Sequence, residues 1–370
     1  MPPLAHTESK FPFLTSIGWN DDIATKFSDD LEPGLIPGRV SRVDRISSII
    51  LTEDGPVRAE PSADMLETTP SEELPAIGDW VGMLRRPRHD TDSIEVVLPR
   101  VSTLARVRGS ADSRRTASRI QVIAVNVDFV FATHAAVRPS TARMAREVSQ
   151  IEQSGAVPIL LLTKADLVDD PAAVVEQVGK AMPGLRIHLT SGLNGDGINE
   201  LRQYLTGNRT VVFIGASGVG KSTISNQLLG EEALTTEEVR AHDGRGRHTT
   251  TARHLMPIPG GGVLIDTPGM RTFTLQAADD GLERTFTDID ALSQMCSFRD
   301  CRHEREPGCA VQAAIASGDL NTERFDSYRK LGNELRHMKA KADKAAYADE
   351  RRRGRDQSIR YKRNVKPKKR

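Results

Sequence analysis

Three short motifs constrain the fold of this chain more than any other feature, because of the order in which they occur. Residues 215–223, Gly-Ala-Ser-Gly-Val-Gly-Lys-Ser-Thr, match the phosphate-binding loop G-x-x-x-x-G-K-[ST]. Residues 266–269, Asp-Thr-Pro-Gly, follow a second apolar strand. Residues 163–166, Thr-Lys-Ala-Asp, have the [NT]-K-x-D pattern of a guanine-reading element and precede both. The parts of a guanine nucleotide site are all present, in an order rotated from that of ordinary GTPases.

The phosphate-binding loop has a chemical reason for each of its residue types. Glycines let backbone N–H groups point inward around phosphate oxygens, where side chains would block the approach. We expect Lys221 to reach the β- and γ-phosphates and the Ser222 hydroxyl to bind Mg²⁺. The predicted loop residues are Gly215, Ala216, Ser217, Gly218, Val219, Gly220, Lys221, Ser222 and Thr223. A chance glycine-rich turn is the alternative, and the predicted strand before the loop and helix after it argue against it.

The earliest motif is predicted to bind the base through Thr163, Lys164, Ala165 and Asp166. Asp166 can accept hydrogen bonds from guanine N1–H and the 2-amino group, which adenine cannot supply. The stem of Lys164 can cover the face of the base. Thr163 stands where asparagine is usual, and the missing amide weakens base positioning. Ser191, in the loop after the next predicted strand, fits the segment that contacts guanine O6.

The metal side of the site and its catalytic groups are predicted from residues 248–270. Asp266 is expected to hold Mg²⁺, directly or through water, and Gly269 to offer a backbone N–H to the γ-phosphate. Thr250 is the candidate that closes over Mg²⁺, although threonines 249–251 could simply begin an edge strand. Met270 occupies the place of the water-orienting glutamine of Ras-type enzymes, so slow intrinsic hydrolysis is expected. His248 is our hypothesis for the missing group.

The fold class predicted from these patterns is multidomain α/β. Short strands with a hairpin signal at residues 54–55 come first, followed from about residue 118 by strands alternating with helices. One apolar strand is predicted over residues 120–133. The predicted domains are an N-terminal extension (1–35), an OB-fold-like β-barrel (36–105), a circularly permuted Ras-like P-loop GTPase domain (106–276), a zinc-binding helical domain (277–335) and a basic C-terminal tail (336–370). The barrel could also be a generic small barrel that serves as a lid.

The three cysteines of the chain lie close together near its C-terminal end. The spacing Cys296-x4-Cys301-x-His303-x5-Cys309 supplies three thiolates and one imidazole within 14 residues. Four such ligands suffice for a closed tetrahedral site, so one structural Zn²⁺ is predicted. Buried free cysteines are the alternative, and the spacing differs from the commonest C-x2-C finger.

Charge is nearly balanced over the whole chain, at a net +1, but not along it. Residues 339–370 hold 14 Lys/Arg against 4 Asp/Glu, which indicates a polyanionic partner or a solvated extension. Arg85, Arg86 and Arg88 form a basic loop of the predicted barrel, a further candidate contact with phosphate backbone. No signal peptide is visible, and no apolar run approaches the roughly 20 residues that span a bilayer. A cytoplasmic monomer without membrane contact is therefore predicted.

With permuted motifs between a barrel and a cysteine cluster, the chain resembles the bacterial ribosome small-subunit-dependent GTPase A family over residues 35–330. Residues 99–104, Pro-Arg-Val-Ser-Thr-Leu, and 247–251, Arg-His-Thr-Thr-Thr, resemble that family as well. The resemblance implies GTP hydrolysis late in assembly of the 30S ribosomal subunit. In that family the GTP-bound protein engages the decoding region of 16S rRNA, and subunit-stimulated hydrolysis releases it.

Two other functional classes stay open at the level of sequence. A non-catalytic RNA-binding protein with GTP as a structural ligand is favoured by Met270. A P-loop kinase, or a signalling GTPase with a protein target, is the other, although no acceptor pocket or kinase lid can be identified.

Overall fold

The computed structural model describes residues 10–29, 34–44, 47–108, 119–230, 254–266, 280–336 and 340. The chain forms two compact units, one of Met1–Ala105 with Val122–Phe273 and one of Arg106–Gln121 with Thr274–Arg370. The first unit thus contains the extension, the barrel and the sheet together. The five domain limits inferred from sequence stay predictions. Among the helices described, none combines the length and the apolar character needed to cross a membrane.

The N-terminal extension packs on the barrel. Its helices are α1 (Pro12–Ser16) and α2 (Asp21–Asp29). The Glu53 carboxylate accepts hydrogen bonds from the backbone N–H groups of Phe13 and Leu14, at 3.0 and 3.1 Å. Trp19 lies edge-on to Trp80, with ring centroids 5.3 Å apart. The extension is therefore part of the first unit and not a separate tail.

The barrel is closed and has the topology of an OB-fold, as predicted. Its strands are β1 (Ile36–Val43), β2 (Ser48–Thr52), β3 (Gly55–Pro61), β4 (Trp80–Leu84) and β5 (Asp92–Val97), in the order β1-β2-β3-β5-β4. The β3–β5 pair is parallel and the others are antiparallel, with helix α3 (Ala63–Thr68) between β3 and β4. Thr52 pairs with Gly55, which confirms the predicted hairpin. Alternating side chains fill the barrel with a small apolar core.

A short ladder joins β6 (Thr103–Arg108) and β7 (Arg119–Val125), and a six-stranded sheet follows. The sheet strands are β8 (Phe129–Ala135), β9 (Val157–Thr163), β10 (Ile187–Thr190), β11 (Thr210–Gly215), β12 (His254–Pro257) and β13 (Val263–Asp266). Their order is β10-β9-β8-β11-β13-β12, parallel except for the antiparallel β12–β13 pair. The central strand β11 is thus reached only after the three strands on one side of it, as a permuted order requires.

Helices of the first unit connect these strands. They are α4 (Thr141–Gln153), α5 (Pro171–Ala181), α6 (Ile198–Leu201) and α7 (Lys221–Leu229). Met144, Val148 and Ile151 recur at helical spacing and are fully buried, as predicted. Strand β9 is buried at all but its first residue, because helices cover both faces of a parallel sheet.

The prediction of one apolar strand over residues 120–133 was wrong, because the chain turns between β7 and β8. Asn126 has a φ of 54°, in the left-handed region that asparagine tolerates better than most residues. Its side-chain amide donates to the Gly78 carbonyl at 3.1 Å and accepts from the Val101 N–H at 2.9 Å. Continuous hydrophobicity concealed a turn that depends on contacts distant in sequence.

Arg39 connects the extension, the barrel and the sheet. Its side chain is 1% exposed, and its guanidinium donates to the Ile17 and Gly78 carbonyls and, at 2.8 Å, to the Thr210 hydroxyl. It also lies 5.0 Å from the Trp80 ring centroid. Burial lowers the pKa of Arg39 to about 10, so the group stays cationic at neutral pH. Thr210 begins the strand that leads to the phosphate loop.

The second unit is helical in its described part. Its helices are α8 (Asp280–Thr285), α9 (Thr287–Gln294), α10 (Ala310–Ser317) and α11 (residues 322–336). Arg324 on α11 donates from two nitrogens to the Asp288 carboxylate, both at 2.7 Å, and lies 4.7 Å from the Phe286 ring centroid. This buried arginine fixes α11 against α8 and α9.

Candidate nucleotide site and metal centre

The phosphate loop lies between β11 and α7, as the sequence predicts. Its glycines Gly215, Gly218 and Gly220 have φ angles of 143°, 74° and 101°, in the region that other residues avoid. A Cβ on Gly215 would come within 2.3 Å of the Thr133 carbonyl oxygen, so no side chain fits there. Among the described residues, a Cβ on Gly218 would meet no atom within 4 Å. The loop thus presents backbone groups that a phosphate could approach.

Lys221 begins α7 and folds back over the loop. Its ammonium group donates to the carbonyls of Gly215 and Ala216, at 2.9 and 2.8 Å. Burial lowers the pKa of Lys221, and the carboxylates of Asp266 and Glu147 oppose that shift. The loop carbonyls hold the ammonium group in place, and the two carboxylates favour its charged form.

The predicted base-reading groups meet at the neighbouring strand ends. Asp166 follows β9 in a short 3₁₀ turn, Ala165–Leu167, and its Oδ1 accepts the Ser191 hydroxyl at 2.5 Å. Lys164 has a φ of 58°, a left-handed conformation that turns the chain between β9 and Asp166. Asp166 and Ser191 are 25 positions apart, and adjacent parallel strands bring them together.

Thr163 is oriented toward the phosphate loop. The side chain is 1% exposed, and its hydroxyl lies 2.5 Å from the Val219 carbonyl oxygen and 3.2 Å from that of His134. A Cβ built on Gly220 would lie 3.8 Å from the Thr163 Cβ. The first residue of the base-reading motif and the last part of the phosphate loop are thus in direct contact.

The remaining predicted residues fall into two groups. Asp266 ends β13, which is hydrogen-bonded to β11, so its carboxylate lies at the same edge of the sheet as the phosphate loop. The others, His248, Thr250, Gly269 and the neighbouring Met270, lie outside the described residues, as does most of the basic tail.

Two contacts around the site could not be predicted from sequence. The Gln227 amide on α7 donates to the Gly192 carbonyl at 2.6 Å, which holds the loop after β10 against the helix of the phosphate loop. Glu147 on α4 is 2% exposed; it accepts from Arg143 Nε at 2.9 Å, and its other oxygen lies 3.0 Å from His134 Nε2 without hydrogen-bond geometry. A glutamate in an apolar helix face is the only sequence signal of the second contact.

The cysteine cluster has the geometry of a tetrahedral metal site. The ligand atoms of Cys296, Cys301, His303 and Cys309 all lie within 4.8 Å of one another. The Cys296 and Cys309 sulfurs are 3.9 Å apart. Two thiolates bound to a tetrahedral zinc at about 2.3 Å would have their sulfurs about 3.8 Å apart. His303 Nδ1 lies 3.6 and 3.5 Å from those two sulfurs. These residues fit a zinc ion.

Contacts around the cluster orient its ligands. His303 Nε2 lies 3.1 Å from the Ser293 hydroxyl, so a polar partner faces the ring nitrogen that does not face the sulfurs. Burial lowers the pKa of His303, which favours the neutral imidazole that binds metals. Partial burial and the neighbouring sulfurs raise the pKa of Cys301 to about 11. Three thiolates this close would repel one another, and a bound cation would offset that repulsion.

The loop between the ligands is closed by Glu306. Its carboxylate accepts three backbone N–H groups, from Arg302, Glu304 and Arg305, at 2.9, 2.8 and 3.0 Å. These hydrogen bonds lower the pKa of Glu306 to about 2. The loop is therefore organised by an ionised side chain rather than by apolar packing.

The predicted basic loop of the barrel is only partly available to an anion. Arg85 lies 3.2 Å from Asp92, and Arg86 contacts Ser93 and lies 3.8 Å from Glu95. Arg88 is exposed at the tip of this loop. Acidic groups on β5 offset two of the three charges that the sequence placed there.

Comparison with known proteins agrees with this architecture. A model of the RsgA GTPase family matches residues 97–276. The protein named small ribosomal subunit biogenesis GTPase RsgA in Streptomyces coelicolor is 43% identical over 93% of this chain and 92% of its own length. Its namesake in Streptomyces avermitilis is 41% identical over 95% of this chain and 93% of its own length.

Two solved structures share the fold. YjeQ from Thermotoga maritima superposes with a TM-score of 0.62 and 24% identity, over 81% of this chain and 98% of its own. YloQ, described as a circularly permuted GTPase, gives a TM-score of 0.59 and 23% identity, over 85% of this chain and 98% of its own. The permuted strand order seen here is thus that of a known fold.

Proposed function

The chain belongs to the RsgA GTPase family, and from that premise we propose that it hydrolyses GTP during late maturation of the 30S ribosomal subunit. One observation carries the proposal. Residues 163–166, 215–223 and 266 are far apart in sequence and come together at the carboxyl edge of one sheet. That convergence supports a single ligand with a guanine base at one end and phosphates at the other.

Each group of this edge has a role in the proposal. Asp166, oriented by Ser191, accepts the N–H groups of guanine, which excludes adenine. Lys221 leaves the loop carbonyls and binds the β- and γ-phosphates, while the loop N–H groups surround them. The Ser222 hydroxyl and the Asp266 carboxylate would hold Mg²⁺, which neutralises charge on the phosphates when bound. Thr250 and Gly269 complete this set on the strength of sequence alone.

The rate of hydrolysis is proposed to depend on the ribosomal subunit. Met270 has no group that can orient water, so the free protein turns over slowly, and His248 supplies the orienting group once a partner orders it. The relatives from both Streptomyces species carry the small ribosomal subunit in their names, which supports that subunit as the partner.

The proposed cycle couples nucleotide state to RNA binding. The GTP-bound protein engages 16S rRNA through the barrel, where Arg88 is exposed, and through the basic tail. Hydrolysis then releases it from the matured subunit. A structural zinc at the cysteine cluster shapes the second unit and takes no part in the reaction.

The test is GTP turnover by the full chain, titrated against purified 30S and 50S subunits. We expect stimulation that saturates with 30S and not with 50S, and rRNA binding in GTP that is lost in GDP. Turnover unchanged by 30S, with GTP bound and not hydrolysed, would instead indicate an RNA-binding protein with a structural nucleotide. His248→Ala should remove the stimulated rate while nucleotide affinity stays the same, and an unchanged kcat would end that part of the proposal.

A further inference from the structure

We infer that Arg143 on α4 is a second cation of the phosphate site, and that Glu147, one helical turn further along, is the positioning residue that holds it there. Lys221 would then be one of two basic groups that meet the phosphates. The additional cation favours a triphosphate over a diphosphate, because the terminal phosphate carries additional negative charge. The inference rests on the proposed function, since it adds a group to the same nucleotide site.

Strand β8 brings this part of α4 close to the phosphate loop. β8 and β11 are parallel neighbours, and Thr133 pairs with Gly215, the first residue of the loop. The approach is tight, because a Cβ on Gly215 would come within 2.3 Å of the Thr133 carbonyl oxygen. His134 is the next residue of β8, and its Nε2 lies 3.0 Å from Glu147 Oε2. Glu147 therefore lies beside the strand end that borders the start of the loop.

Glu147 is a buried carboxylate that binds Arg143 through one oxygen. The residue is 2% exposed, and its Oε1 accepts a hydrogen bond from Arg143 Nε at 2.9 Å. The two residues are four positions apart on α4, so they lie on the same face of the helix. A guanidinium has five N–H donors in a rigid, planar fork, so a bond to Nε also fixes the direction of the others. With 34% of its side chain exposed, Arg143 extends from the buried carboxylate to solvent-accessible space.

The charges around Lys221 indicate that Arg143 lies within electrostatic reach of the phosphate site. Burial lowers the pKa of Lys221, Asp266 and Glu147 raise it, and the positive charge of Arg143 lowers it further. Two cations this near to each other repel, and Glu147 offsets part of that repulsion. A polyphosphate on the loop would offset more of it, since each cation could bind its oxygens. An anion is therefore the ligand that this pair of cations favours.

The second oxygen of Glu147 supports a role beyond stability. Glu147 Oε2 and His134 Nε2 are buried, yet neither atom has a hydrogen-bond partner among the described residues. A buried polar atom without a partner costs free energy, so a contact that served only stability should pair both carboxylate oxygens. Departures of this kind are expected mainly at functional sites. Glu147 is aligned with Arg143 and poorly aligned with His134, as a residue that positions Arg143 would be.

The experiment measures equilibrium binding of GTP and GDP, both with Mg²⁺, by the full-length wild type and its variants. Arg143→Met should weaken GTP binding by about tenfold and GDP binding by no more than about twofold, because the lost cation serves the terminal phosphate. Arg143→Lys keeps a cation but loses the planar fork, so it should weaken GTP binding by about threefold.

A double-mutant cycle tests whether Glu147 acts through Arg143. Glu147→Met keeps the approximate volume of the side chain and removes the acceptor, and it should weaken GTP binding by about fivefold. The double variant should lose about tenfold, as Arg143→Met does alone, and not the about 50-fold of two independent effects. The double variant also leaves neither member of the ion pair without its partner, so its result does not depend on a stranded buried charge.

Arg138→Met is the matched control. Arg138 is an exposed arginine in the connection between β8 and α4, so the control removes the same charge from a neighbouring position. Affinity for both nucleotides should stay within about twofold of wild type. Melting temperatures of all variants separate loss of binding from loss of folding.

Three outcomes would overturn the inference. GTP affinity that is unchanged in Arg143→Met, or that falls no more than GDP affinity does, would mean that Arg143 does not serve the terminal phosphate. A loss in the double variant equal to the product of the two single losses would show that Glu147 acts independently of Arg143. An equal loss in Arg138→Met would reduce the effect to the net charge of this segment. Failure of the proposed function is a separate result, namely a wild type that binds GTP no more tightly than ATP.

Discussion

The nucleotide site and the cysteine cluster are held in place by different means. The groups of the nucleotide site come from residues 163 to 266 and lie at the edge of a sheet whose four middle strands, β9, β8, β11 and β13, are almost fully buried. The four residues of the cluster come from one 14-residue segment, in which Phe298 is 48% exposed, and Met295, just before it, is 65% exposed. The first site is formed by the packing of the fold, whereas the four residues of the second lie close together in sequence and would be held together by the proposed zinc.

Zinc removal is the strongest test of this difference. Structural zinc contributes on the order of 10 kcal/mol to the folding of small domains, so chelation should unfold the second unit. The first unit should remain folded, and its affinity for GTP should change by no more than about twofold. A tenfold change in affinity would correspond to about 1.4 kcal/mol. Zinc content, calorimetry and GTP titration of the same sample measure both parts. Loss of GTP binding with the metal would contradict the distinction.

Lys221→Ala should impair the nucleotide site and leave the cysteine cluster unchanged, the reverse of zinc removal. Loss of the only side-chain ammonium that contacts the phosphate loop in the described structure should lower GTP turnover by about 10³-fold. Zinc content and melting of the second unit should not change. Lys180→Ala, at an exposed lysine on α5 paired with Glu176, is the control and should retain full turnover. A comparable loss in both variants would argue against a specific role for Lys221.

Arg39→Met tests whether the first unit is a single packed body. The substitution removes the arginine donor from the Ile17 and Thr210 oxygens and one of the two donors from the Gly78 carbonyl, and it should lower the free energy of unfolding by about 3 kcal/mol. Urea denaturation monitored at Trp19 and Trp80 measures it. Arg58→Met, at a half-exposed residue of β3, should cost less than about 0.5 kcal/mol. Equal losses of unfolding free energy in the two variants would mean that the buried Arg39 contributes no more to stability than an exposed arginine does.

Asp166→Asn should have the smallest effect, because it exchanges one recognition group for another. The oxygen of the asparagine amide still accepts a hydrogen bond, but the N–H₂ group of the amide repels the N–H groups of guanine. GTP affinity should therefore fall by about 50-fold, while the affinity for xanthosine triphosphate should rise. Asp169→Asn, an exposed position nearby, should leave the preference unaltered. An unchanged GTP preference in Asp166→Asn would mean that this residue does not contact the base. It would contradict the proposal that the motifs bind one ligand.

Much of the fold could be predicted because the relevant signals are local. Glycines of the phosphate loop, the alternating strands of the barrel and the buried stripe of Met144, Val148 and Ile151 are all visible in sequence. The turn at Asn126 was missed, because its conformation is stabilised by Gly78 and Val101 rather than by its neighbours in sequence. The basic loop of the barrel carries less net charge than its three arginines indicate, because Asp92 and Glu95 reach it from β5.

The sequence by itself determined which chemical groups this protein has: a phosphate loop, a carboxylate predicted to read guanine and four candidate metal ligands, each in a short pattern with its own chemistry. Only the tertiary structure decided that Thr163 faces Val219, that Gln227 holds the loop at Gly192 and that Arg39 joins three elements. The physical reason is that a hydrogen bond depends on distance and direction in space, and residues 56 or 171 positions apart acquire these only when the sheet has formed.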